Sequence, residues 1–193
     1  IEKFANAAHK HGVPLIIDNT FATPINCRPF EGGADIVTHS TTKYMDGHDA
    51  TVGGCIVDSG KFDWFAHADK FPGLTTPDES YHGITYTEKF GKGAYITKAT
   101  AQLMRDLGSI QAPQNAFYVN LGLETLHLRM QRHCENALKI AQFLKAQDKV
   151  EWIHYPDLEG DENYELAKKY LPKGSCGVLA FGLKGGRETS IKF

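Results

Sequence analysis

Hydrophobic positions at the start of the chain follow a helical period. Ile1, Phe4, Ala5 and Ala8 fall on one face of a helix, and Gly12 follows as a natural stop. The first residue is therefore expected at or inside a helix, and the last segment, "GGRETSIKF", has the pattern of another element's opening. We expect this sequence to be an interior piece of a longer protein.

Three short apolar runs predict buried strands before residue 60. They are "VPLIID" at 13–18, "ADIVTH" at 34–39 and "TVGGCIVD" at 51–58. Runs of this length, bounded by glycine or polar residues, are typical of strands buried on both faces. Because strands that alternate with helices form mainly parallel sheets, we expect an α/β fold with its ligand beyond the carboxyl ends of the strands.

The middle of the chain has two different patterns. Residues 59–92 are aromatic and rich in loop residues, which predicts either a functional surface or a face wrapped against another chain. The following segment, "AYITKATAQLMRDLG", predicts a helix that ends at Gly108.

The second half of the chain predicts a long helix between two domains. Apolar residues step by three and four along one face: Leu123, Leu126, Met130, Cys134, Ala137, Ala141 and Leu144. Beyond the helix, "VEWIHYP", "NYELAKKYL" and "GVLAFGLKGG" predict strand, helix and strand. We therefore divide the chain into part of a large domain at 1–118, a connecting helix at 119–147 and the start of an α+β small domain at 148–193.

Composition narrows the class of protein. With 41% hydrophobic residues and a formal net charge of −2, the chain can form a core and has no basic block for nucleic acid or anionic membranes. No apolar run approaches the roughly 20 residues of a membrane-spanning helix. The four cysteines are scattered, which is typical of reduced, buried thiols in a cytoplasmic protein. The nine histidines form no HExxH motif and no Cys/His pair at zinc spacing, so we expect no metal site.

Reactive side chains follow two of the predicted strands. Asp18 ends the first strand, and Ser40, Thr42 and Lys43 follow the second in "THSTTKYMD". Pyridoxal phosphate requires a lysine amine for its aldehyde, a carboxylate for its ring nitrogen, and hydroxyl and N–H donors for its phosphate. These residues could supply each group. An aspartate after a strand is also a common turn residue, and a Ser/Thr cluster is often a cap or surface loop, so spacing alone leaves both interpretations open.

Two linked segments carry a family resemblance. "VPLIIDNTFATP" and "GADIVTHSTTKYMDGH", with Asp18 and Lys43 25 residues apart, closely resemble the Cys/Met-metabolism family of pyridoxal-phosphate enzymes of fold type I. The resemblance implies that Asp18 pairs with the pyridine nitrogen, that Ser40 and Thr42 bind phosphate, and that Lys43 is the Schiff-base lysine and proton shuttle. It also implies a homo-oligomer, a dimer-based tetramer. Its other partners would be small molecules, with no nucleic acid and no membrane.

Later segments narrow the resemblance. "FPGLTTPDESYHG" and "LMRDLGSIQAPQNAF" are similar to the sulfhydrylase branch, which implies an amino-acid substrate, O-acetylhomoserine, and sulfide. Cystathionine synthases, cystathionine lyases and methionine γ-lyases of the same family remain alternatives, although "GHDAT" differs from the G-H-S-D of the transsulfuration branch. A truncated or degenerate assembly domain is the non-catalytic alternative. Members of the family place a ring-stacking tyrosine in an N-terminal portion and an arginine for the substrate carboxylate in a C-terminal portion. Neither can be assigned in this chain, so we expect this chain alone to be inactive.

Overall fold

The computed structural model describes all 193 residues. The helices are α1 (Glu2–Lys10), α2 (Thr23–Asn26), α3 (Pro72–Thr75), α4 (Tyr86–Phe90), α5 (Ala94–Lys98), α6 (Arg105–Leu107), α7 (Pro113–Lys145), α8 (Tyr164–Tyr170) and α9 (Gly186–Lys192). The strands are β1 (Ile16–Asp18), β2 (Ile36–Ser40), β3 (Gly54–Asp58), β4 (Val150–His154) and β5 (Ala180–Leu183). A π-helical segment, Ala99–Met104, joins α5 to α6, so the predicted helix up to Gly108 is present with one widened turn.

The first three strands form one mixed sheet in the order β1-β2-β3. β1 and β2 are parallel, with Ile16 opposite Ile36, whereas β2 and β3 are antiparallel, with Ser40 opposite Gly54. The three strands of this chain thus contain the expected parallel pair and one antiparallel pair that the pattern did not predict. Residues 41–53 connect the two strands without a crossover helix, which favours antiparallel pairing.

Two of the predicted strands, β1 and β3, are shorter and less buried than expected. β1 begins at Ile16 rather than at residue 13, and β3 begins at Gly54 rather than at residue 51. Ile16 is 52% exposed, because β1 is an edge strand with a neighbour on one side only. On α1, Ala5 is buried as the pattern predicts, but Phe4 is 72% exposed.

The aromatic section at 59–92 forms a core instead of a free surface. Trp64 and Tyr86 are buried and pack with Ile36 of β2, and Trp64 stacks on Tyr95 with ring centroids 5.4 Å apart. Periodicity could not predict this core, because its members lie on short helical turns. Aromatic side chains bury enough area to hold such turns in place.

The long helix α7 runs from Pro113 to Lys145, so it begins six residues before the predicted boundary and ends two before the predicted end. Its buried residues are Val119, Gly122, Leu126, Met130, Cys134, Ala137 and Ala141. Leu123, which the pattern places on this face, is 41% exposed. Gly122 occupies the contact instead, and the helix lies directly against the main chain that follows β2.

The C-terminal residues form a small separate sheet against α7. β4 and β5 pair antiparallel, and Tyr155 and Leu158 pack on Ala137 and Ala141 of the helix. The predicted order of strand, helix and strand is confirmed, and the last residues form α9. None of the helices is both long enough and apolar enough to cross a membrane.

Replacing Gly122 with alanine tests the close packing of α7. Its Cβ would overlap the carbonyl oxygens of Met45 and Asp46, so the helix or the turn must move. We expect Gly122→Ala to lower the free energy of unfolding by about 1–3 kcal/mol. Helix propensity alone would raise it by up to about 1 kcal/mol. Denaturant unfolding measures the difference.

Gly73→Ala is the matched control. A Cβ at Gly73 would meet only Lys98 Cε, at 3.8 Å, which is an ordinary contact. We expect this variant to be neutral or slightly more stable than wild type. Equal stability of the two variants would contradict the packing described above.

Candidate active site

Asp18 lies at the carboxyl end of β1 and is connected to the end of β2 by Thr20. The Thr20 hydroxyl donates to Asp18 Oδ1 at 2.5 Å, and the Thr20 backbone N–H donates to the same oxygen at 2.9 Å. The Ser40 backbone N–H donates in turn to Thr20 Oγ1 at 2.8 Å. This chain of hydrogen bonds fixes the carboxylate relative to the last residue of β2, so both strand ends share one rigid edge.

The same contacts keep Asp18 ionised. The Thr20 hydroxyl, and then the Thr20 N–H, hold the pKa of the Asp18 carboxyl below its usual value, because both donate to the charged form. Asp18 itself is exposed, and Oδ2 makes no hydrogen bond within the chain. An ionised carboxylate with one free oxygen suits a cationic N–H group.

His39 lies buried at the same strand end. Burial lowers the pKa of its imidazole, so the ring is neutral near neutral pH. Its Nδ1 has no hydrogen-bond partner. The His39 ring therefore adds a neutral surface, and no charge, to this edge of the sheet.

Lys43 lies in a turn that begins where β2 ends. The Lys43 N–H donates to the Ser40 carbonyl at 3.3 Å, the Asp46 N–H donates to the Thr41 carbonyl at 3.0 Å, and the Gly47 N–H donates to the Lys43 carbonyl at 3.0 Å. We call residues 41–47 the lysine turn. The Lys43 side chain is exposed, and its Nζ makes no hydrogen bond or ion pair within the chain. The amine is therefore free for another group.

The two hydroxyl candidates differ in their contacts. Thr42 Oγ1 accepts from the Gly53 N–H at 3.0 Å and donates to the Gly53 carbonyl at 3.3 Å, so it ties the lysine turn to the start of β3. The Ser40 side chain is half-buried, and its hydroxyl makes no such bond. Ser40 is thus the freer donor for a phosphate, whereas Thr42 would have to share its proton with Gly53.

Contacts with α7 hold the other side of the lysine turn. Arg129 donates to the Tyr44 carbonyl at 2.8 Å, and the Tyr44 hydroxyl accepts from the Gly177 N–H at 3.0 Å. Met45 is buried against Leu126 and Met130. The turn is therefore positioned by the helix and by the C-terminal segment, not by the strands alone.

Asp46 is a fully buried carboxylate within the turn. Burial raises the pKa of this group, but N–H donors from Ala50, His48 and Thr51 outweigh burial and hold its pKa below the usual value. Its Oδ1 has no hydrogen-bond partner. The carboxylate therefore stays ionised although it is buried.

The structure thus brings all four predicted residues to the ends of two adjacent strands: Asp18, Ser40, Thr42 and Lys43. A free amine, an ionised carboxylate and a free hydroxyl fit a phosphorylated aldehyde with a basic ring nitrogen. Sequence reasoning missed Thr20, whose only signal is its place two residues after an aspartate. It also missed Arg129, for which the sequence has no local signal. No three His, Cys, Asp or Glu side chains are grouped to hold a metal ion.

Replacing Thr20 tests the connection between the strands. Thr20→Val removes the hydroxyl and leaves the Ser40 N–H without an acceptor, which we expect to cost about 1–3 kcal/mol of stability. The pKa of Asp18 should rise toward its usual value. Because that pKa is lowered in the folded chain, its stabilisation is present above the unfolded-state pKa and is lost as pH falls, and this loss should shrink in the variant. A carbon-13 NMR titration of the carboxyl measures the pKa.

Thr20→Ser is the control, since it keeps the hydroxyl. It should titrate like wild type at Asp18. If Thr20→Val also titrates like wild type, the hydroxyl does not hold the carboxylate in its charged form.

Comparisons with known proteins show which family the chain is similar to. The model of the Cys/Met metabolism PLP-dependent enzyme family matches residues 1–193. The chain is 50% identical over 184 residues to the homocysteine/cysteine synthase of Kluyveromyces lactis, which covers 95% of this chain and 41% of that protein. It is 46% identical over 202 residues to the O-acetyl-L-homoserine sulfhydrylase of Leptospira meyeri, which covers 100% of this chain and 45% of that protein. The chain spans less than half the length of these curated relatives.

A solved structure is also similar. The crystal structure of a Campylobacter jejuni protein assigned as an O-acetylhomoserine (thiol)-lyase matches with a TM-score of 0.90 and 36% identity, over 95% of this chain and 46% of that one. That structure contains an N'-pyridoxyl-lysine-5'-monophosphate residue. The chain therefore belongs to the Cys/Met metabolism family of pyridoxal-phosphate-dependent enzymes.

Proposed function

We propose that the protein containing this chain uses pyridoxal phosphate to replace the acetate of O-acetylhomoserine with sulfide, which gives homocysteine and acetate. The observation that carries the proposal is that the free Lys43 amine follows β2 and the ionised Asp18 ends β1, two strands that are paired in parallel. The names of the sulfhydrylase and synthase relatives at 46–50% identity support this choice of reaction.

Three groups of this chain would hold the cofactor. Asp18 Oδ2 would accept the N–H of the protonated pyridine ring, and its lowered pKa keeps it ionised for this contact. The Ser40 hydroxyl would donate to the phosphate, with Thr42 as the second donor. Lys43 Nζ would join the aldehyde carbon with loss of water. When bound, pyridoxal phosphate supplies an electron sink that stabilises negative charge at the substrate Cα.

Lys43 would then carry the protons of the reaction. Once the substrate amine takes its place, the free Nζ accepts the Cα proton, releases it to the bound cofactor, and can then accept a Cβ proton. After the exchange at Cγ, a proton is returned to each of the two carbon atoms by the same route in reverse. The exchange is redox-neutral. Acetate leaves Cγ with the electron pair of the C–O bond, and sulfide supplies the pair for the new C–S bond. A lysine on a short, firmly held turn can serve several steps at adjacent carbon atoms.

We further propose that the working protein is a cytoplasmic homo-oligomer, a tetramer built from dimers. Large apolar side chains on α7 support an additional contact, since Phe117, Leu121 and Leu128 are 53%, 44% and 60% exposed. All four cysteines are free thiols, which suits a reducing compartment.

Replacing the lysine is the direct test. In the full-length protein, Lys43→Ala should lower kcat by at least about 10²-fold, since general acid–base catalysis contributes roughly that much or more. Borohydride reduction followed by peptide mapping should find a pyridoxyl group on Lys43 of the wild type. Lys139→Ala is the matched control, because Lys139 is exposed on α7 and makes no ion pair.

Two outcomes would contradict the proposal. A wild-type protein without the pyridoxyl adduct at Lys43 would favour a degenerate assembly domain. An adduct without turnover of O-acetylhomoserine and sulfide would keep the cofactor but reassign the reaction to another branch of the family.

A further inference from the structure

The direction of the Lys43 side chain depends on the backbone of the lysine turn. Nζ has no partner within the chain, so no side-chain contact aims it. The Thr41 N–H donates to the Gly53 carbonyl at 3.0 Å, which secures the start of the turn on β3. The residue after Lys43 is held from the opposite side, by α7.

Arg129 makes this second connection with its whole guanidinium group. Nη1 donates to the Tyr44 carbonyl at 2.8 Å, Nη2 to the Gly122 carbonyl at 2.7 Å, and Nε to Thr125 Oγ1 at 3.0 Å. The side chain therefore lies back along α7 toward its N-terminus, as long helical side chains do. Two acceptors on its own helix hold the planar guanidinium in one orientation. The group can therefore hold the Tyr44 carbonyl, its third acceptor, at a fixed distance from α7.

The turn is shaped to accept this guanidinium. Gly47 has a φ of +67°, and a Cβ there would overlap the Arg129 guanidinium, so a residue without a side chain leaves room for it. The buried Asp46 carboxylate lies near enough for its charge to favour the charged guanidinium, although burial lowers the Arg129 pKa. The Arg129 guanidinium, Gly47 and the buried Asp46 carboxylate thus lie together at the end of the lysine turn.

Tyr44 is restrained at both ends by these contacts. Its carbonyl is held by Arg129, its hydroxyl accepts from the Gly177 N–H at 3.0 Å, and its ring lies 5.2 Å from that of His133. A residue fixed in this way cannot rotate without breaking several contacts. The Cα–Cβ bond of the neighbouring Lys43 therefore has one direction.

We propose that Arg129 is a positioning residue that sets the direction of Lys43 through the Tyr44 carbonyl, and that it affects the proton transfers without touching substrate or cofactor. The proposal rests on the proposed function of Lys43. It concerns alignment, so its effect should fall on kcat more than on KM. Misplacement of a reacting group by about 1 Å can cost about 10²-fold in rate.

The experiment compares variants of Arg129 in the full-length, cofactor-loaded protein. Arg129→Lys keeps the charge near Asp46 but cannot reach both carbonyls, and Arg129→Ala leaves a space that free guanidinium ion can enter. Arg132→Ala is the matched control, because Arg132 is on the same helix, is exposed and makes only a 3.5 Å pair with Glu135. We expect both Arg129 variants to lose about 10²-fold in kcat with KM changed less than about 3-fold.

Two further readouts separate positioning from general stability. Guanidinium at concentrations that do not unfold the protein should restore kcat of Arg129→Ala, whereas potassium chloride at equal ionic strength should not. In the protein without cofactor, hydrogen exchange at the Gly47 amide should accelerate by about 10-fold in both Arg129 variants. The amides of α7 between Cys134 and Ala141 should exchange as in Arg132→Ala.

Several results would overturn the inference. The positioning role is wrong if kcat stays at the Arg132→Ala level, if the Gly47 amide is unaffected, or if all amides of α7 accelerate with it. Absence of a pyridoxyl adduct on Lys43 in the wild type would instead remove the proposed function. The exchange rates would then decide separately whether Arg129 holds the turn.

Discussion

The direct packing of α7 on the lysine turn is the constraint on which the other contacts depend. At Gly122 the helix backbone lies against the carbonyls of Met45 and Asp46, and no larger residue would fit there. This close packing brings Arg129, two helical turns further along α7, within hydrogen-bonding distance of the Tyr44 carbonyl. It also buries Met45 against Leu126. The Lys43 side chain is therefore exposed while the backbone that follows it is held by buried contacts.

The site combines two kinds of support with different physical origins. The sheet positions Asp18 and Ser40 through short hydrogen bonds to Thr20, which cost little entropy because β1 and β2 are already paired. The lysine turn is tied to the start of β3 only at Thr41 and Thr42, so it depends in addition on charge and packing from a distant part of the chain. Loops that carry reactive groups commonly need support of this kind from a rigid scaffold.

Much of this arrangement could be predicted from the sequence, and the reasons differ between parts. Lys43 and Asp18 were found because apolar runs end beside them, and the carboxyl ends of neighbouring parallel strands meet at one edge. The antiparallel β3 and the exposed Leu123 could not be foreseen, because direction and helix rotation are decided by long-range packing. The roles of Thr20 and Arg129 depend on partners 20 and 85 residues away in sequence, and local patterns contain no information about such pairs.

The hydrogen bond from Gly177 to the Tyr44 hydroxyl joins the lysine turn to the segment just before β5. A displacement of this segment would have to break the hydrogen bond or move the lysine turn with it. The Tyr44 phenol therefore couples the position of the lysine turn to the position of this C-terminal segment. A shift of this segment would therefore act on the residue next to Lys43.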